Sequence, residues 1–188
     1  NFKRGIRYPV IVHGYGMPGT QIVYNRWGST WNQYLAQQGY IVFSMDARGM
    51  SGRGEEFKNL SYGDMAKYLS SDTAAGVRHL IDSGIADPDR IGAWGWSGGG
   101  YFTGLMLTKN ADLFDVGVSV APVMDFRLYD TIYTERSMGL PQDNKAGYDS
   151  TSVLTYVDRF KGKLLVMHGT GDDNVHSQNM TWLIEEFV

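Results

Sequence analysis

An α/β fold built on a mostly parallel sheet is what this chain predicts, on three observations. Short β-rich runs alternate along the sequence with segments of helical periodicity. Such alternation marks βαβ units, whose strands run parallel because each crossover carries the chain back to the same end of the sheet. Three of the strand ends run into polar or glycine-rich sequence, HGYGMPG, GWSGGG and HGTGDDNVH, and open parallel sheets collect function at those ends.

The elements follow in order. Tyr8 to Val12 is a short apolar run and the first strand. Trp27 to Gln38 has helical character, stopped by Gly39. YIVFSMD, 40–46, is the second strand, and ARGMSGRG after it is loop. Ser70 or Ser71 can cap a helix through about Ser83, whose Ala74, Val77, Leu80 and Ile81 share a face before Gly84 ends it. RIGAWGW, 90–96, is the third strand, Tyr101 to Lys109 a helix, and VGVSVAP the fourth strand, closed by Pro122. From Val123 to about Lys161 the pattern is irregular and rich in aromatics, an excursion from the sheet. KLLVMHG is the fifth strand, and an amphipathic helix runs from Ser177 to the last residue without a capping signal, as in a chain cut inside a larger protein.

Composition narrows the function. The 188 residues suffice for one domain with a core, and 43% hydrophobic with 20% charged is an ordinary globular balance. A net charge of -3 gives nucleic acid or an anionic membrane no reason to bind. No apolar run approaches the roughly 20 residues that span a bilayer, and the first residues show no signal-peptide core. With no cysteine, disulfides, thiolate metal sites and a cysteine nucleophile are excluded. No H-E-x-x-H or comparable metal cluster is present, and no cofactor is implied.

Ser97 lies in GWSGG, a match to G-x-S-x-G. In a chain with 24 glycines the bare match is weak. The context strengthens it, because a strand precedes the motif and a helix follows. That is the setting of a nucleophile elbow, a turn so tight that its neighbours must lack side chains and the serine hydroxyl is pushed out above the sheet. The N–H of Gly98 then points where an oxyanion would form. The competing reading is a glycine-rich turn that binds phosphate or nothing, but Gly95, Gly98 and Gly100 do not fit the dinucleotide fingerprint. A serine nucleophile needs an acid and a histidine in the chain order Ser, Asp or Glu, His. Asp172 and Asp173, at the end of the fifth strand, are both candidates, and both could equally be turn residues. Of the four histidines, His79 falls within a helix, His13 and His168 end strands, and His176 follows Asp172 too closely to sit on a loop of its own. The expected base is missing from the chain.

The segments YGMPGTQ, DARGMSGRG, RIGAWGWSGGGY, APVMDFRLYDTIYTERSMGLP and HGTGDDNVH resemble the catalytic domain of the prolyl oligopeptidase family of serine peptidases, in its dipeptidyl peptidase IV branch, over nearly the whole chain. The resemblance implies an α/β-hydrolase fold, with these residues forming most of one catalytic domain truncated at both ends. A β-propeller would precede residue 1 and a histidine-bearing segment would follow residue 188. Ser97 matches the nucleophile and Asp172 the triad acid. Tyr15 matches the hydroxyl that completes the oxyanion hole beside the Gly98 N–H, and Asn174 the amide that holds a substrate carbonyl. Val123, Phe126, Tyr129, Tyr133 and Val175 match the proline pocket, a role aromatic rings suit because proline presents a flat apolar face and no N–H. Without the resemblance these would read as a satellite core. Two positions depart from the pattern. Gly98 stands where the nearest members have a tyrosine, and Phe126 where tryptophan is usual, so one pocket wall is expected to be lost and proline preference to relax.

The implied activity is release of N-terminal dipeptides, preferentially after proline, from peptides with a free amino terminus that the propeller's paired glutamates grip. The 188 residues alone are expected to be inactive for want of the base. A homodimeric parent in an extracytoplasmic compartment follows from the resemblance only. Alternatives are an acylaminoacyl peptidase, oligopeptidase or esterase on the same fold, or a catalytically silent interaction protein, against which the presence of Ser97, Asp172, Tyr15 and Asn174 argues.

Overall fold

A computed structural model describes residues 2–188. Its centre is a five-stranded sheet of order β2-β1-β3-β4-β5, formed by β1 (Tyr8–His13), β2 (Ile41–Phe43), β3 (Ala86–Trp96), β4 (Val116–Val120) and β5 (Lys163–Met167). All four pairings are parallel, as the strand–helix alternation predicts. The third strand starts earlier than its apolar run, because Ala86 already pairs with Tyr8 before an irregularity lets Val10 meet Ile91.

Helices cover the sheet unequally. The helix α1 (Thr30–Gln37) is shorter than expected, since the Ser29 side chain caps it by accepting from the Asn32 N–H. It lies on one face, where Trp31 meets Trp94 of β3 edge-on at 6.1 Å. The opposite face carries α4 (Gly98–Lys109), whose Leu107 and Thr103 fill the space beside Gly117, which has no Cβ. Eleven residues of α4 are buried, so it behaves as a core helix with no solvent stripe. Against it packs α3 (Leu69–Asp82), which opens at Tyr68 with no side-chain cap. Neither serine expected to cap it does so. Ser71 turns its hydroxyl to the Tyr68 carbonyl, and Ser70 accepts from the amide of Asn110, the residue that caps the end of α4. On the α1 face Trp96, Val116, Leu165 and Met167 remain exposed.

The excursion after β4 is more ordered than its sequence suggests. It contains two 3-10 turns, Phe126–Leu128 and Leu154–Arg159, and two short helices, α5 (Thr131–Met138) and α6 (Lys145–Thr151). With α2 (Glu55–Asn59) counted in chain order before α3, these complete the set ahead of α7 (Gln178–Phe187). Polar caps build the excursion. Asp130 accepts from the Tyr133 N–H and Asn144 from the Gly147 N–H. Arg127 bridges the buried Asp125 at 3.0 Å and Asp149 at 2.5 Å.

One buried amide ties this excursion to the last helix. Asn179 on α7 is 0% exposed. Its side-chain oxygen accepts from the N–H groups of Met124 and Asp125, and its amide donates to the His176 carbonyl. Asn179→Ala leaves two buried N–H groups without partners and is expected to cost about 3 kcal/mol, read as a lowered urea midpoint with unchanged m-value. No helix among the described residues is long and apolar enough to cross a membrane.

Candidate active site

In the sheet order, the strands flanking β1 and β3 lie to opposite sides. Such a reversal opens a crevice beyond the carboxyl ends of the two strands, the usual ligand position in open parallel sheets. Tyr15 follows β1 and Ser97 follows β3, so two of the sequence-predicted site residues flank that crevice.

Ser97 has the backbone of a forced turn, φ 58° and ψ -116°, in a region that residues with a Cβ rarely occupy. The turn is held from both sides. Its N–H donates to the Val120 carbonyl at 2.8 Å, and its carbonyl accepts from the Tyr101 N–H at 3.0 Å. A Cβ at Gly95 would stand 2.5 Å from the Gly99 carbonyl oxygen, which is why strand and helix approach so closely only through glycine. The Ser97 side chain does not cap α4. Tyr15 is half-buried, with its ring directly beside the site where a Gly98 Cβ would be.

The acid candidates separate. Asp172 Oδ1 accepts from the Asn174 N–H at 3.0 Å and the Val175 N–H at 2.9 Å. Those two N–H groups, Val175 first, hold its carboxyl below the usual aspartate range. Its Oδ2 lies 3.6 Å from His168 Nε2, too far for a hydrogen bond. Asp173 is exposed. Among the described residues, no histidine hydrogen-bonds Asp172 or Ser97. His168, with a side chain 2% exposed, places Nε2 2.7 Å from the Val175 carbonyl, which makes that nitrogen the protonated donor. His13 stacks on Trp94 at 4.7 Å, and burial lowers its pKa. His79 is exposed on α3, and His176 Nδ1 accepts from the Gln178 N–H.

Beside Gly98 lies a cavity of about 190 Å³ lined by Tyr15, Met17, Thr20, Gly98, Val123, Phe126, Tyr129 and Tyr133. The structure thus brings four of the five predicted proline-pocket residues together. Val175 is not among the lining residues. It is buried beneath the acid loop, its carbonyl facing His168. Phe126, Tyr129 and Tyr133 meet edge-on in series, at centroid distances of 6.4 and 6.0 Å. The Tyr129 hydroxyl donates to Asn174 Oδ1, and the Tyr133 hydroxyl to the Pro18 carbonyl at 3.0 Å. Burial, the largest cause in each case, raises both phenols above their ordinary value, so both stay protonated donors. Met17 and Thr20 also line the cavity. The only signal for them is their place in YGMPGTQ after β1.

Residues 27–187 match the prolyl oligopeptidase family. The chain is 37% identical over 191 residues to prolyl endopeptidase FAP of Mus musculus, and 41% identical over 194 residues to the protein named probable dipeptidyl peptidase 4 in Emericella nidulans. Each alignment covers 100% of this chain and 25% of the relative, so the chain spans about a quarter of the length of the curated relatives it matches. The crystal structure of Porphyromonas gingivalis dipeptidyl peptidase 4 superimposes with a TM-score of 0.95 at 39% identity, over 99% of this chain and 26% of that one.

Proposed function

This chain belongs to the prolyl oligopeptidase family, and from that premise we propose that it forms catalytic-domain structure of a serine peptidase that releases dipeptides from free amino termini, preferentially after proline. The aromatic cavity directly beside the Ser97 turn carries this reading. It sets an aromatic-lined cavity next to the serine taken as nucleophile.

In the proposed reaction Ser97 Oγ attacks the carbonyl carbon of the proline residue, and its proton passes to a histidine base. The tetrahedral oxyanion accepts from the Tyr15 hydroxyl and the Gly98 N–H. Collapse breaks the C–N bond, the amine leaves with the proton from the imidazolium, and an acyl-serine remains. Water then repeats the sequence, freeing the dipeptide. Asp172 Oδ2 orients the base. Because none of the four histidines present hydrogen-bonds Ser97 or Asp172, the proposal takes the base from outside these 188 residues. So does the grip on the substrate's amino terminus, supplied by the paired glutamates of a propeller domain.

Two measurements test this. The full-length protein is expected to cleave Gly-Pro-p-nitroanilide and to reject its N-acylated form. Equal cleavage of both would instead support a prolyl endopeptidase, the activity named for one relative, and preference for short acyl esters would support an esterase. The isolated 188-residue chain is expected to be inactive, and robust turnover by it would return His176 as the base. Tyr15→Phe removes one oxyanion donor and is expected to lower kcat about 10²–10³-fold, with KM little changed in steady-state assays.

A further inference from the structure

We propose that Met17 is the specificity-determining wall of the cavity beside Ser97, filling the space that a side chain at position 98 would occupy. The inference rests on the peptidase reading of that cavity and adds to it the residue that sets its size.

The glycine at 98 answers to its neighbour. Gly98 opens α4 without the positive φ that would demand glycine. A Cβ placed on it would overlap Met17 Cγ and stand 3.0 Å from Tyr15 Cε1. The absence of a side chain at 98 is therefore what admits Met17. Met17 itself is 4% exposed, yet it lines the cavity with Val123, Phe126 and three tyrosines.

Its backbone is pinned, and its side chain is of an intrinsically flexible type. The Thr20 N–H and hydroxyl both donate to the Met17 carbonyl, at 3.1 and 2.5 Å, and the next carbonyl, of Pro18, accepts from Tyr133. The thioether projecting from this pinned turn is unbranched, with three rotatable bonds. The facing walls are a β-branched residue and planar rings, some anchored by hydroxyl bonds. The cavity thus has rigid aromatic sides and one adjustable side. Met17 closes it down to a proline-sized ring, and its displacement opens the cavity to larger side chains.

The test uses the full-length protein and paired dipeptidyl anilides with proline or leucine before the scissile bond. Met17→Ala is expected to lower the proline-to-leucine ratio of kcat/KM about tenfold or more, mainly through KM for proline. Gly98→Ala displaces Met17 without altering it and is expected to shift the ratio the same way. The double variant loses one wall only once, so its shift is smaller than the two combined. An unchanged ratio in both single variants, with kcat falling equally for both substrates, would overturn the proposal and leave Met17 as core packing. Gly98→Ala keeps the test decisive should Met17→Ala not fold. Two readouts separate this from the peptidase reading. A fluorophosphonate probe reports on Ser97 reactivity alone. Calorimetric binding of an aminoacyl pyrrolidide, which needs no turnover, should weaken about tenfold in Met17→Ala, and an unchanged Kd would count against the wall.

Discussion

Ser97→Ala is expected to lower kcat of the full-length protein about 10⁶-fold, to the catalysis left by the proposed oxyanion donors and binding. The loss is confined to chemistry. The side chain makes no capping bond to α4, and the hydrogen bonds that hold the turn, to the Val120 carbonyl and from the Tyr101 N–H, are made by backbone. The variant is therefore expected to keep its structure and its affinity for an aminoacyl pyrrolidide, while release of p-nitroaniline disappears. A fall of only tenfold would mean that another group attacks the carbonyl.

Asp172→Asn is expected to lower kcat about 10⁴-fold while preserving the loop. An asparagine oxygen can still accept from the Asn174 and Val175 N–H groups that Oδ1 serves. The position of Oδ2, however, becomes an N–H₂ donor, which holds the base in the wrong tautomer. The substitution also has a pH signature. The Asp172 pKa is depressed in the folded protein by those same two N–H groups. A depressed carboxyl contributes stability that is fully present above its unfolded value of about 3.8 and is lost as pH falls through the lower folded value. Across neutral pH its contribution is constant. Below about pH 4 the unaltered loop loosens and Asp172→Asn loses this part of its acid sensitivity, which hydrogen exchange at the Val175 amide would detect. Asp173→Asn, at an exposed neighbour with no such bonds, is expected to leave kcat within about twofold, in the range of surface substitutions.

The sheet was legible because its strands carry apolar runs bounded by glycine and proline, a local signal. The elbow was legible for the same reason, since strand, motif and helix are contiguous. Element ends were less so. The helix expected from Trp27 begins at Thr30 because Ser29 captures the Asn32 N–H, and α4 begins at Gly98, three residues before its first bulky side chain. α5 and α6, of 8 and 7 residues, are too short to show a helical period, and single aspartate and asparagine caps define them. The cavity is a long-range object. Pro18 meets Tyr133 across 115 positions and Met124 meets Asn179 across 55, pairings that no local pattern encodes. Met17 belongs to the same class. Its partner is an empty position, and a missing side chain leaves no trace in periodicity.

The φ of 58° at Ser97 sets activity against durability. Holding a residue with a Cβ in such a region costs about 1–3 kcal/mol, and glycine would occupy it at little cost. Ser97→Gly should therefore unfold at a higher urea concentration than Ser97→Ala, by about 1 kcal/mol, although both are inert. On the proposed reading, exchange of Ser97 for glycine runs downhill in folding free energy, and selection for turnover is what would keep a serine on that slope.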